Sequence, residues 1–315
     1  MKVGTIHVHL IWRAKMSDFT DSIKKSLKET CGPIKENSKE VLNRNRRHIG
    51  DCYKSVQSDL REVYESRNIL RSLVAKNLYG KYRNSFLGFA WNFITPLVLM
   101  VMYYIIFTEI KTSTSIENRW VFLSTAIFLF TFLTHCITGG TRVFTGNTAM
   151  IKKMYLPKEI LVLANAISSM IVCLIGYAVV LIALTIASYP LDVMCVLLLL
   201  PLLALTFIFG IGCLFLLSSL AVYVRDIQYA LGSIGIALFV MTPMRYMASE
   251  ATGVLSVLIW YNPLTYFVEF VHDILYFSQM PNMFYVLMCT ILAFAMLIIG
   301  YTVFRKLKHG FVKRL

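Results

Sequence analysis

The 315-residue chain is 57% hydrophobic and only 15% charged, with a mean hydropathy of +0.65. Soluble domains run at about 45–50% apolar and about 25% charged, so an ordinary soluble domain is excluded and a polytopic membrane protein remains. The formal charge of +14 does not point to nucleic acid, because the basic residues gather at the chain ends and in short loops rather than over one surface.

Residues 1–56 are rich in lysine and asparagine. One weak amphipathic stretch (Phe19, Ile23, Leu27) stops at Gly32-Pro33, and this extension is expected to be loosely ordered. No apolar core followed by a small-residue cleavage site is present, so no secretory signal peptide is expected. In residues 57–84, Leu60, Val63, Tyr64, Leu70, Leu73, Val74 and Leu78 recur three to four apart, interspersed with Arg61, Arg67, Arg71, Lys76 and Lys81. That pattern predicts an amphipathic helix lying in the cytoplasmic membrane interface. Periodicity alone allows equally a soluble helix packed on another protein.

From residue 85 to 304 the sequence reads as a transmembrane domain. A helix needs roughly 20 apolar residues to cross a core of about 30 Å. Seven charge-free windows lie between Arg83 and Glu109, Arg119 and Arg142, Glu159 and Asp192, Asp192 and Arg225, Asp226 and Arg245, Glu250 and Glu269, and Asp273 and Arg305. The fifth is short but apolar throughout. The sixth carries Gly253, Trp260, Tyr261, Asn262, Pro263 and Thr265, and an Asn-Pro break is tolerated at membrane depth only where protein buries it. Of 31 Lys and Arg residues, 28 fall in residues 1–88, the 141–160 loop, Arg225 and the basic tail 305–315. Lysine and arginine stay cytoplasmic, so both termini are expected there and the number of crossings is even. The expected fold is all-α, with six spans near 89–108, 120–141, 161–187, 194–222, 228–245 and 283–304, and with residues 246–282 as an external, re-entrant segment.

The seven cysteines form no CxxC pair, and five sit in apolar stretches where a thiol serves as a small packing group. No catalytic constellation emerges. His7 and His9 stand alone in the N-terminal extension, His135 lies within a span, and His272-Asp273 is an isolated dipeptide. Gly80-Lys81 lacks the first glycine and the hydroxyl residue of a phosphate-cradling GxxxxGK[ST] loop. The chain is therefore not expected to be catalytic alone, nor to bind a cofactor itself. Ion-coupled carriers place acidic, basic or histidine side chains within their spans; these spans are nearly free of them. A transporter built this way draws its energy from a partner.

Four segments carry a family resemblance. The first is Lys81-Tyr82-Arg83-Asn84-Ser85-Phe86-Leu87-Gly88-Phe89-Ala90-Trp91-Asn92 with Pro96-Leu97, and the second is the run from Asn147 to Ile160. The third is Val224-Arg225-Asp226-Ile227, and the fourth is Asn262-Pro263-Leu264-Thr265-Tyr266-Phe267-Val268-Glu269 continuing through His272 to Tyr276. In this order, over about residues 66–315, they resemble type-2 ABC transporter permeases, most of all the branch that exports polysaccharides such as O-antigen, capsule and teichoic acid. His272 departs from the arginine common at that place, and residues 1–56 exceed what the family requires.

The resemblance implies the permease of an ATP-driven exporter in the cell membrane. It would pair with a second copy of itself and with two ABC ATPase subunits, on which ATP and Mg would sit. It would move a lipid-linked glycan; a drug, lipid or other small amphiphile is the alternative substrate. A membrane scaffold or a glycolipid-modifying enzyme is the rival outside transport. The 147–157 segment suits a coupling role: Thr148 or Asn147 would cap a short helix, Ile151, Met154 and Leu156 would give it an apolar face, and Pro157 would end it. The resemblance implies that it docks on the ATPase through Asn147, Met150, Ile151, Lys152, Lys153, Tyr155, Leu156 and Pro157, flanked by the 57–84 helix. A solvated loop whose lysines set topology is the plainer reading. For Arg225 and Asp226 the resemblance implies a second ATPase contact or an intramolecular brace; the plainer reading is that Arg225 anchors the turn and Asp226 caps the next helix. Tyr103, Tyr104, Phe107, Trp260, Tyr261 and Tyr266 are candidates to line a sugar path, although rings also populate interfacial belts and helix contacts.

Overall fold

A computed structural model describes residues 59, 61–80, 88–109, 116–153, 156–224 and 226–314, without the side chains of 107–109, 309, 312 and 313. The chain divides into Met1–Leu60 and Arg61–Leu315, and the named helices all lie in the second unit. Its regular elements are helical, with no strand among the described residues. In chain order they are α1 (Arg67–Gly80), α2 (Trp91–Glu109), α3 (Arg119–Gly139), α4 (Arg142–Thr145), α5 (Thr148–Lys153), α6 (Lys158–Ile186), α7 (Val193–Tyr223), α8 (Ile227–Met241), α9 (Val254–Tyr261), α10 (Pro263–Val271), α11 (Met283–Leu307) and α12 (Phe311–Arg314).

Five helices are long and apolar enough to cross a membrane: α2 with its leading turn, α3, α6, α7 and α11. The fifth expected span is shorter than its window. α8 has 15 residues, about 22 Å at 1.5 Å per residue, because Thr242 precedes Pro243 and a residue before proline leaves the helical region. Arg245 and Tyr246 fold back over this early end. Arg245 donates to the carbonyls of Phe239 and Val240 at 3.1 and 3.2 Å, and the Tyr246 hydroxyl to those of Val240 and Met241 at 3.2 and 3.1 Å. The orphan carbonyls of a helix end are thus met by side chains rather than water. The pair α9 with 263–276 bends by 87° at Asn262 and forms a broken span or a re-entrant hairpin.

α3 stands at the centre. Some 72% of its most apolar window is buried, against 6% for the α2 window, and it packs on α2, α6, α7, α8 and α10. α7 and α11 share the most extensive contact in the fold, and glycine makes it possible. A Cβ on Gly300 would strike the Gly212 carbonyl, and one on Gly212 would lie 2.5 Å from the Met296 carbonyl carbon. Two backbones approach this closely only where neither carries a side chain, as is common between membrane helices. The outward faces are aliphatic: Val98, Met102 and Ile105 on α2, Ile182 and Ile186 on α6, Leu287, Ile291 and Ile298 on α11 are all more than half or nearly half exposed. Such surfaces suit lipid or another apolar helix, not water.

α1 packs against α6, with Leu73 buried in the common core and Val63, Ile69, Leu70 and Val74 around it. Tyr64 departs from the expected stripe. It is 68% exposed, with the Arg67 guanidinium 5.3 Å from its ring centre. Leu60 lies outside the described residues.

Candidate functional site

One end of the bundle gathers the α4–α5 segment, the α7–α8 turn and the end of α11. The α3 terminus turns directly into α4, whose Phe144 is fully buried. α5 follows after two residues, its start tied to α4 by the Asn147 N–H donating to the Phe144 carbonyl at 3.1 Å. The expected side-chain cap is absent from both candidates. The Asn147 amide donates backward to the Val143 carbonyl at 2.8 Å, its carbonyl accepts from Lys76 Nζ of α1 at 2.7 Å, and Thr148 Oγ1 donates to the Thr145 carbonyl at 2.9 Å. The Lys76 bond ties α1 to α5 across 71 residues of sequence. Asp226 likewise precedes α8 without a side-chain capping bond, because its own backbone is already helical.

A helix of six residues is too short to hold itself together. It therefore lays its apolar residues on its own bundle. Met150 and Ile151 pack against the core, and Leu156 is buried. The expected apolar face thus looks inward, and the surface left for a partner is Ala149, Lys152 and Lys153, all exposed. Pro157 forms the N-cap position of α6. Asp226 is exposed; Tyr155, Met154 and Arg225 lie outside the described residues.

The opposite end is built by the hairpin. Gly253 enters α9 with φ of 63°, a left-handed conformation that costs glycine little. At the 87° bend, Asn262 Oδ1 accepts from the Leu264 N–H at 3.0 Å and its amide donates to Thr242 Oγ1 at 2.9 Å, while Pro263 takes a first-turn position where its missing N–H is harmless. The freed carbonyls of α9 are claimed too: Thr265 Oγ1 donates to Ile259 at 2.7 Å and the Tyr266 hydroxyl to Trp260 at 2.8 Å. A break at membrane depth survives only with its backbone satisfied in this way. Beyond α10, His272 is 1% exposed, stacked on Phe122 at 3.8 Å, with Nε2 3.2 Å from the Phe122 carbonyl. Tyr189 donates to the Tyr276 carbonyl at 2.6 Å, Ser278 to that of Pro190 at 2.7 Å, and Asp273 accepts from the Asn282 N–H at 3.1 Å.

The aromatic candidates fall into two groups. Trp260 and Tyr266 join Tyr285 and Phe284 in one ring cluster at 6.0–6.2 Å. Tyr266 is nearly buried and bonded to the bend, whereas Tyr261 is 83% exposed and points away. Tyr103 instead packs on Phe239 at 5.6 Å under the Arg245 guanidinium at 5.3 Å. Tyr104 is exposed, and the Phe107 side chain lies outside the described residues. Tyr285, Phe284 and Phe239 were legible only as apolar positions in spans; no local motif marks them.

The ABC-2 type transporter family matches residues 69–276. The chain belongs to this family. It is 28% identical over 250 residues to an O-antigen export system permease protein RfbA of Klebsiella pneumoniae, covering 78% of this chain and 94% of that one. To its counterpart of the same name in Myxococcus xanthus it is 24% identical over 226 residues, covering 71% and 86%. The matched region runs from α1 to the end of the hairpin and so contains the α4–α5 segment, the α7–α8 turn and the hairpin, whereas α11 and the basic tail lie beyond it. The chain is a multi-pass membrane permease of the ABC-2 type.

Proposed function

We propose that this permease exports a lipid-linked cell-surface polysaccharide, or its precursor, as a homodimer driven by two separate ATPase subunits. The observation that carries the substrate class is the similarity to O-antigen export permeases along nearly their whole length. The end bearing α4, α5 and the basic tail faces the cytoplasm, in line with the placement of Lys and Arg, and the hairpin end faces outward. The ATPase seats on α5 through the exposed Ala149, Lys152 and Lys153, and Tyr155, Arg225 and Asp226 add further contacts, as the family motifs imply. ATP and Mg are held by that partner, and this chain supplies no hydrolytic group. At the outward end the Trp260 ring offers a face to the apolar C–H surface of a sugar, while the partly stacked Tyr285 holds it in place.

Deletion of the gene tests the reading. Lipid-linked glycan is expected to accumulate inside the cell while surface glycan disappears; an exporter of small amphiphiles leaves both pools unchanged. The coupling surface is tested by the double variant Lys152→Glu with Lys153→Glu. Both side chains are exposed, where substitutions stay within about 0.5 kcal/mol of the parent, so a normal membrane level with lost export is expected. Normal export by that variant refutes the docking surface.

A further inference from the structure

The basic tail does more than fix topology. α11 ends at Leu307, and the chain turns through Lys308–Gly310 into α12. Phe311 is wholly buried there, although it follows a run of basic residues. Its ring lies 4.9 Å from Phe144 of α4, 5.9 Å from Phe304 of α11 and 6.3 Å from Tyr223 at the end of α7, and Lys158 Nζ sits 5.3 Å over it. Polar contacts close the same junction. Lys308 Nζ pairs with Glu159 Oε1 at 2.9 Å, Lys158 Nζ donates to the Lys308 carbonyl at 2.5 Å, and the Tyr223 hydroxyl donates to the Leu307 carbonyl at 3.0 Å. The Arg314 guanidinium stands 4.4 Å from the Tyr223 ring centre, and a Cβ on Gly310 would collide with the Tyr223 hydroxyl.

Three of the four partners of Phe311 border an element that the proposed function assigns to the motor contact, and the fourth, Phe304, belongs to α11. Phe144 hydrogen-bonds the residue before α5, Lys158 opens α6 directly after Pro157, and Tyr223 precedes the Arg225-Asp226 turn. We propose that Lys308–Arg314 is a coupling clasp, in which Phe311, Lys308 and Tyr223 position the α4–α6 segment, the α7–α8 turn and α11 as one rigid body. A push on either ATPase contact then reaches α11, the helix that begins beside the hairpin. This inference rests on the coupling reading above. Phe311 and its partners are positioning residues; none needs to touch the ATPase or the glycan.

The test compares variants in the complete complex with its co-purifying ATPase. ATP hydrolysis is measured on the purified complex in lipid nanodiscs, and the cell's own surface glycan is measured per copy of membrane-inserted permease. Phe311→Ala is expected to lower glycan exported per ATP hydrolysed at least tenfold, with ATPase binding retained, and Phe311→Leu to restore most of it. Tyr223→Phe deletes only the hydroxyl and keeps the ring, and a drop of about threefold is expected; it decides the matter alone if Phe311→Ala fails to reach the membrane. A merely structural tail lowers protein level and export together, leaving the ratio unchanged, and that result overturns the clasp. If Lys152→Glu with Lys153→Glu uncouples the complex while the tail variants do not, the clasp alone is wrong. If none of them uncouples it, the assignment of this end to the motor fails as well.

Discussion

Gly300→Ala is the smallest change that separates α7 from α11. The new Cβ would lie 2.9 Å from the Gly212 carbonyl carbon and 3.2 Å from its Cα, and closer still to the carbonyl oxygen. These are backbone atoms and have no rotamer to escape into, so the helices must part by about 1 Å. A gap of that size forfeits roughly a quarter to a half of each dispersion contact along the crossing, and overpacking of this kind costs about 1–3 kcal/mol. That outweighs the gain of about 1 kcal/mol that alanine brings over glycine within a helix. Gly232 of α8 supplies the control, since nothing lies within 4 Å of its Cβ position and only the helical gain remains. Thermal unfolding in detergent, followed by loss of the monodisperse species, should place Gly300→Ala below the parent and Gly232→Ala at or above it. Equal melting of the two variants would refute the close crossing.

Two further substitutions probe the hairpin. Asn262→Ala removes both the cap on Leu264 and the bond to Thr242 at a position 2% exposed; the lost cap alone costs about 1 kcal/mol, and the buried Thr242 oxygen left without its donor raises the total to about 2 kcal/mol, visible as a lower melting midpoint than that of Asn262→Ser. Tyr261→Ala, at 83% exposure, should melt within about 0.5 kcal/mol of the parent, so any fall in surface glycan in that variant reports on a lost contact with substrate or partner chain rather than on folding.

Long apolar windows were legible because nothing competes with them: α3, α6, α7 and α11 are uniform in composition, and charge-free length fixes their existence. The bend at Asn262 was equally legible, since proline removes a donor and asparagine supplies the cap. What resisted reading was any choice made by distant residues. Ile151 and Leu156 have the spacing of an outward docking face, yet a helix of six residues and the short link after it gain more beside a large apolar core by turning both side chains inward. Asn147 is a good capping residue in isolation, but Lys76, far away in sequence, competes for its carbonyl. Pro243 ends α8 early, but hydropathy carries no trace of Arg245 and Tyr246 folding back to satisfy its last carbonyls. Phe311 was hidden among lysines and arginines, whose charge dominates any local reading of the tail.

The Gly212–Gly300 contact also sets how α11 can move. With no slack between the two backbones at that point, the contact serves as a fulcrum, and a tilt of the helix swings its ends in opposite directions. Gly300 stands seven residues from Leu307 and seventeen from Met283, arms of about 10 and 25 Å at 1.5 Å per residue. A displacement of 1 Å at the short arm therefore becomes about 2.5 Å at the long one, so a small stroke at the end proposed to meet the ATPase is geared up where α11 begins beside the hairpin.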